Sequence, residues 1–191
     1  MREYDDIGLK YLESRSPTIG VADVLGLVET FGRKISVLDL GCGTGWPIAE
    51  ALWPETSRYV GVDSSRVLLG EFRRRLPEAE AILGSVHEVA LDAAAFDLVF
   101  AYGSLFHLTP SAQRVAVLKA CRAVAPGGTL AFTSGVEAGA CTGTVAGISV
   151  PHWSIGEKAY VELAASCGLV FEGSLLGEGQ NLFFLFSRAA G

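Results

Sequence analysis

Apolar residues along this chain recur with two alternating periods. Tyr4 to Leu12 forms a short amphipathic segment, and Val21 to Phe31 places apolar residues at helical spacing with Gly32 suited to end the helix. Ile35 to Leu40 is an aliphatic run expected to be a buried strand, and it stops at three glycines on alternate positions, Gly41, Gly43 and Gly45. Trp46-Pro47 then opens a helix whose first turn suits Pro47. Arg58 to Asp63 is a second strand, followed by a helix through about Leu76 that Ser64 or Ser65 can cap. Ala79 to Leu83 is a third. Phe96 to Tyr102 is a fourth, almost continuously apolar, as in a parallel strand covered on both faces. Pro110 to Val124 is helical, and Pro126-Gly127-Gly128 turns the chain into a fifth strand, Thr129 to Ser134. Glu157 to Cys167 is a helix stopped by Gly168. Leu169 to Ser174 and Asn181 to Ser187 are strands joined by Gly177-Glu178-Gly179.

Strands alternating with helices and closed by a hairpin predict an α/β fold. Its sheet is doubly wound in three layers, Rossmann-like, with the ligand site at the carboxyl ends of the strands. Gly135 to Ile155 fits neither period. It is expected to be an irregular loop that helps to select a substrate, since long loops in compact domains more often bind than fill. Residues 1–34 are expected to form a helical lid segment.

Composition narrows the picture only modestly. With 191 residues, 50% hydrophobic and 19% charged, the chain is expected to be one ordered domain with a substantial core. A formal net charge of -6 disfavours phosphate backbones as partners, and Arg73-Arg74-Arg75 is expected on the solvated face of a helix. Cys42, Cys121, Cys141 and Cys167 are widely spaced, which suits reduced thiols in a cytoplasmic protein better than a disulfide framework or a metal site. The amino terminus lacks the pattern of a signal peptide, and no apolar stretch is long enough to span a bilayer. The oligomeric state is open.

Candidate chemistry gathers at the glycine turn. Glycines there remove Cβ atoms, so backbone amides are expected to face a ligand at a helix amino terminus. Asp63 ends the next strand at the separation of a ribose-binding carboxylate, and its ionised oxygens can accept from paired hydroxyls. Read alone, Asp63 could equally be a helix cap.

Taken together, these segments resemble the class I methyltransferases that use S-adenosylmethionine. Val37-Leu38-Asp39-Leu40-Gly41-Cys42-Gly43-Thr44-Gly45 looks like their first motif, and Val60-Gly61-Val62-Asp63-Ser64-Ser65, Phe96-Asp97-Leu98-Val99 and Pro126-Gly127-Gly128-Thr129-Leu130 follow in the expected order. The resemblance implies a seven-stranded, mostly parallel sheet with an antiparallel strand in the carboxyl-terminal hairpin. It places Gly41, Cys42, Gly43 and Gly45 beneath the methionine portion of the cofactor, with Asp39 orienting its amine. Asp63 would take the ribose hydroxyls and Ser64 would edge the adenine. Ala101 and Tyr102 would border the site, and Tyr11 would close over it. The family's acidic residue after the third strand is missing. Gly84 is followed by Ser85 and Val86, so a hydroxyl would have to accept from the adenine amino group.

An NAD-binding oxidoreductase is the weaker alternative, because its fingerprint wants a third glycine where Trp46 stands. A non-catalytic cofactor-binding sensor or partner subunit is another. For methyl transfer, His107 and His152 are the candidate general bases, and Tyr102, Phe106, His152 and Trp153 the candidate wall of an acceptor pocket. His87 is assigned no role. No Asn-Pro-Pro-Tyr element of DNA methylases is present, so a small-molecule acceptor is expected and neither nucleic acid nor membrane.

Overall fold

A computed structural model of the chain describes residues 16–145, 147–177 and 181–191. The Tyr4 to Leu12 segment with Tyr11, which belongs to the expected lid, and residues 178 and 179 of the hairpin turn lie outside them.

The chain order begins with α1 (Val21–Glu29), β1 (Ile35–Leu40), α2 (Ile48–Leu52), β2 (Thr56–Asp63), α3 (Arg66–Arg75), β3 (Glu80–Leu83) and β4 (Phe96–Ala101). A single 3-10 turn, Leu105–His107, leads into α4 (Pro110–Ala123) and β5 (Val124–Thr133). Then come β6 (Gly139–Val145), β7 (Ile148–Ser154), α5 (Glu157–Ser166), β8 (Leu169–Leu176) and β9 (Leu182–Arg188). Seven of these strands form one sheet in the order β3-β2-β1-β4-β5-β9-β8. β9 runs antiparallel to both neighbours and the remaining pairs are parallel, which matches the expected fold.

The apolar runs are explained by burial on both sides of this sheet. Leu38, Leu40, Val60, Val62, Val99 and Leu130 pack beneath α4 and α5. Val37, Tyr59, Leu98, Phe100 and Ala131 pack beneath α1, α2 and α3. At the strands' amino ends, Asp97 accepts from Ser36 N and Ser36 Oγ, both at 2.8 Å, and pairs with Arg33. Burial alone would raise the Asp97 pKa; these donors outweigh it and hold the carboxyl below its ordinary value.

Three local expectations need correction. Gly135 to Ile155 is not an irregular loop, because β6 and β7 pair in an antiparallel ribbon from Gly139↔Ser154 to Val145↔Ile148. Its glycine, threonine and alanine content hid the period-2 pattern. β5 begins at Val124 rather than Thr129 and absorbs Pro126-Gly127-Gly128 as an irregularity opposite β4. Gly128 fits there because a Cβ would stand 2.8 Å from the Asp97 carbonyl oxygen. Finally, the helix after the glycine turn starts at Ile48, with Pro47 as its cap instead of in its first turn, and passes into a 3-10 turn at Trp53–Glu55. Pro54 has no N–H with which to continue it.

The run Arg73-Arg74-Arg75 ends α3, where Arg74 and Arg75 pair with Glu71, and Arg75 also with Glu50. No helix among the described residues is long and apolar enough to cross a membrane.

Candidate cofactor and acceptor site

The sheet order reverses between β1 and β4, and the carboxyl ends of the strands on either side of that point surround a cavity. The cavity is partly open to solvent. Gly41, Gly43, Asp63, Ser64, Ser85, Val86, Tyr102 and His107 all contribute to its wall. Most of the predicted cofactor residues are therefore neighbours in space. Asp39, Cys42 and Gly45 lie under the turn instead, around a smaller adjoining space that Gly41 and Tyr102 also reach.

The turn does not work as expected. Gly41 N and Cys42 N both donate to Val62 O, at 2.7 and 3.0 Å, and Gly45 N donates to Cys42 O. Gly43 N donates to Asp63 Oδ2 at 2.8 Å. These amides are consumed inside the protein, so they form no nest for a pyrophosphate, and the short α2 supplies little dipole. What the glycines provide is space and positive φ. At Gly41, with φ of +89°, a Cβ would lie 2.3 Å from Ser104 Cβ. A Cβ on Gly43, by contrast, would meet nothing within 4 Å.

Asp63 is not the cap of the helix that follows it. Its Oδ1 accepts from Ser65 N at 2.8 Å while Oδ2 holds Gly43 N, so the carboxylate binds the second strand to the glycine turn. Ser65 itself caps α3, accepting from Leu68 N. Each carboxylate oxygen has further lone pairs, and the residue is half-buried at the cavity wall. Asp39 is buried and accepts from Tyr59 OH at 2.8 Å. Burial, then Asp39 and Asp63, push the Cys42 thiol well above its ordinary pKa, so it stays neutral.

Beyond β3, Ser85 Oγ lies 2.7 Å from His87 Nδ1. His87, which sequence reading passed over, therefore orients the hydroxyl that stands where the family carries an acid. Tyr102, at the end of β4, accepts from Asn181 Nδ2 at 2.9 Å, and its ring abuts Gly20 and Phe183. Ala101 is fully buried beneath it. Ser104, also missed, braces the turn by donating from Oγ to Leu40 O.

His107, Phe106 and His152 meet in one cluster. Ring centroids are 4.7 Å apart for His107–His152, 4.5 Å for Phe106–His152 and 4.7 Å for Phe106–His107. His107 faces the first cavity, whereas His152 faces a second, lined also by Phe106, Glu137, Cys141 and Trp153. Burial, and then His152, push the His107 pKa down to about 4; burial lowers that of His152 as well. Both rings are therefore neutral at pH 7. His152 Nε2 is buried and has no hydrogen-bond partner among the described residues.

A family model described as a methyltransferase domain matches residues 37–128. With the strand order and antiparallel β9 already established, this identifies the fold. It is that of the class I methyltransferases. Among known proteins, the chain is 36% identical over 126 residues to a trans-aconitate 2-methyltransferase of Azoarcus sp., covering 65% of this chain and 47% of that one. It is 33% identical over 99 residues to a tRNA U34 carboxymethyltransferase of Pseudomonas aeruginosa, covering 49% and 30%. The chain thus spans half or less of these curated relatives. The solved structure of CalS10, an amino pentose methyltransferase from Micromonospora echinaspora with S-adenosylmethionine bound, superposes with a TM-score of 0.74 at 19% identity, covering 93% of both chains. That likeness extends the class I methyltransferase fold beyond residues 37–128 to β9 and β8.

Proposed function

We propose that this domain transfers the methyl group of S-adenosylmethionine to a small-molecule acceptor seated in the second cavity, against Phe106, His152 and Trp153. The carrying observation is the ring contact between His107 and His152, which joins the cofactor cavity to that second cavity.

The described residues suit the cofactor. Gly43 lines the cavity without a side chain, and Asp63 presents a carboxylate at its wall, an acceptor chemistry that suits hydroxyls. Ser64, Ser85 and Val86 border the adenine end, and Asp39 and Tyr102 the amino-acid end. When bound, the cofactor supplies an electrophilic methyl group on a sulfonium whose departure leaves a neutral thioether.

The chain's own residues then have to align the acceptor, exclude water and, where the acceptor carries a proton, hold it. His152 Nε2, neutral and without a hydrogen-bond partner among the described residues, would serve the last task. The described lining of the second cavity carries aromatic rings and one carboxylate, Glu137, with no lysine or arginine. This favours an uncharged or cationic acceptor bearing an O–H or N–H over a carboxylate-rich one. The net charge of -6 and the acid-paired Arg74 and Arg75 support a small molecule over a tRNA. Four cysteines without a disulfide among them support a cytoplasmic setting.

The test uses radiolabelled S-adenosylmethionine with phenols, amines, thiols, polycarboxylates and tRNA as acceptors. Transfer to an uncharged or amine acceptor is expected. Transfer only to tRNA or polycarboxylates would overturn the acceptor assignment. Binding of S-adenosylhomocysteine without transfer to any acceptor would favour a sensor. Calorimetric binding of NAD but not of S-adenosylhomocysteine would overturn the cofactor.

A further inference from the structure

Gln113 sits on the stripe of α4 that packs into the core with Ala116, Val117 and Ala120, and it is fully buried. A carboxamide in such a place is costly unless its donors and acceptor are paired. Here they are paired across three elements. Nε2 donates to Leu108 O at 2.9 Å and to Trp153 O at 2.7 Å, while Oε1 accepts from Tyr160 OH at 2.7 Å. Leu108 directly follows His107, and Trp153 directly follows His152. One amide group thus grips the backbone beside each histidine.

Tyr160, fully buried on α5, holds that amide in orientation. Its oxygen also lies 2.7 Å from Ser134 Oγ and accepts from Ile155 N at 3.3 Å, which ties in the exit of β5 and the chain beyond β7. Ser154 Oγ adds a bond to Gly135 O at 2.6 Å, closing the base of the β6–β7 ribbon. The ribbon pairs with no strand of the main sheet. This polar network and the ring contacts of His152 with Phe106 and His107 tie it to the rest of the domain.

We propose that Gln113 is a positioning residue for the acceptor: by clamping the backbone after both histidines it fixes the His107–His152 contact, and with it the acceptor's place against the cofactor cavity. This rests on the acceptor site assigned above. A buried amide that merely filled the core could be replaced by an apolar isostere at little cost to the site. A clamp could not, because displacing a reacting group by about 1 Å can lower a rate on the order of 100-fold.

Gln113→Met retains the length of the side chain and donates nothing; Tyr160→Phe removes only the hydroxyl that orients the amide. In the intact protein, NMR cross-relaxation is expected between the ring protons of His107 and His152, whose centroids lie 4.7 Å apart. In Gln113→Met that cross-peak is lost and methyl transfer at saturating cofactor falls about 100-fold. Affinity for S-adenosylhomocysteine is kept, since Asp63, Gly43 and Ser64 are untouched. Tyr160→Phe weakens the same cross-peak and decides the matter if Gln113→Met does not fold. Persistence of the cross-peak in the folded variants would overturn the clamp. Failure of the unsubstituted protein to methylate any acceptor would count against the acceptor site instead, with the cross-peak still reporting on Gln113.

Discussion

Asp63→Ala is the substitution from which the geometry predicts most. The carboxylate accepts from Gly43 N and Ser65 N, each at 2.8 Å. A hydrogen bond to a charged group contributes about 1.5–3 kcal/mol, so losing both costs about 3–6 kcal/mol. Asp63 is half-buried and water can reach Ser65 N once the side chain is gone, so the lower end, about 3 kcal/mol, is expected. For a chain of this size each kcal/mol moves Tm by about 2–4 °C, which gives a fall of about 6–12 °C. The assay is a thermal melt with and without S-adenosylhomocysteine. At one hundred times its Kd the ligand adds about 2.7 kcal/mol to the unsubstituted protein, a rise of roughly 5–11 °C. That rise should largely vanish in Asp63→Ala. Asp63→Asn, which keeps one acceptor oxygen and turns an NH₂ toward the other amide, should fall between. An alanine variant that melts like the original and keeps the full ligand shift would refute both roles of Asp63. Loss of stability with the ligand shift intact would leave it a structural tie alone.

Three further outcomes follow from the same coordinates. Gly41→Ala places a Cβ 2.3 Å from Ser104 Cβ at a φ of +89°, so strain and overpacking of about 1–3 kcal/mol each should appear as lost stability in urea unfolding. Gly143→Ala puts a Cβ 2.0 Å from His152 Cε1 and should displace that ring, lowering methyl transfer while calorimetry shows unchanged S-adenosylhomocysteine binding. His107 makes stability depend on pH. The unfolded chain takes up this proton below about pH 6.5, whereas the folded chain does so only near pH 4, so stability is full above pH 6.5, declines as pH falls between the two, and levels off beneath. The decline is of order 3 kcal/mol, and denaturant titrations of His107→Phe should lack most of it.

The two parts of the site differed in how far sequence disclosed them. Gly41, Gly43, Asp63, Ser64, Ser85 and Val86 come from strand ends that sequence alone could delimit, and a parallel sheet brings such ends together whatever lies between them. Their spacing therefore carried the cofactor cavity. The fate of the turn amides was not legible, because Val62 O and the Asp63 carboxylate compete for them only once β1 and β2 are in register. His87 looked idle because its partner, Ser85, is recognisable only through a side-chain distance. Gln113 did leave a trace: it is a polar residue on the apolar stripe of its helix, three and four positions before Ala116 and Val117. Such a residue is either an error of periodicity or a buried hydrogen-bond hub. Tyr160, six residues past the ribbon, has no comparable mark.

If the acceptor sits as proposed above, the ribbon makes acceptor choice separable from the fold. Cys141 stands opposite His152 in the β6–β7 pairing, and side chains alternate between the two faces along each strand. A slip of one residue would turn His152 away from His107 and bring Pro151 or Trp153 in its place, with no change to the seven-stranded sheet. Gly143 permits the present arrangement, since the His152 ring occupies the space a side chain there would need. Register at this ribbon lies in its own β6–β7 pairing, Gln113 and Tyr160 anchor its base, and the main sheet takes no part. Altering the ribbon's sequence while keeping those two residues should therefore change which molecules are methylated without changing how tightly S-adenosylhomocysteine binds.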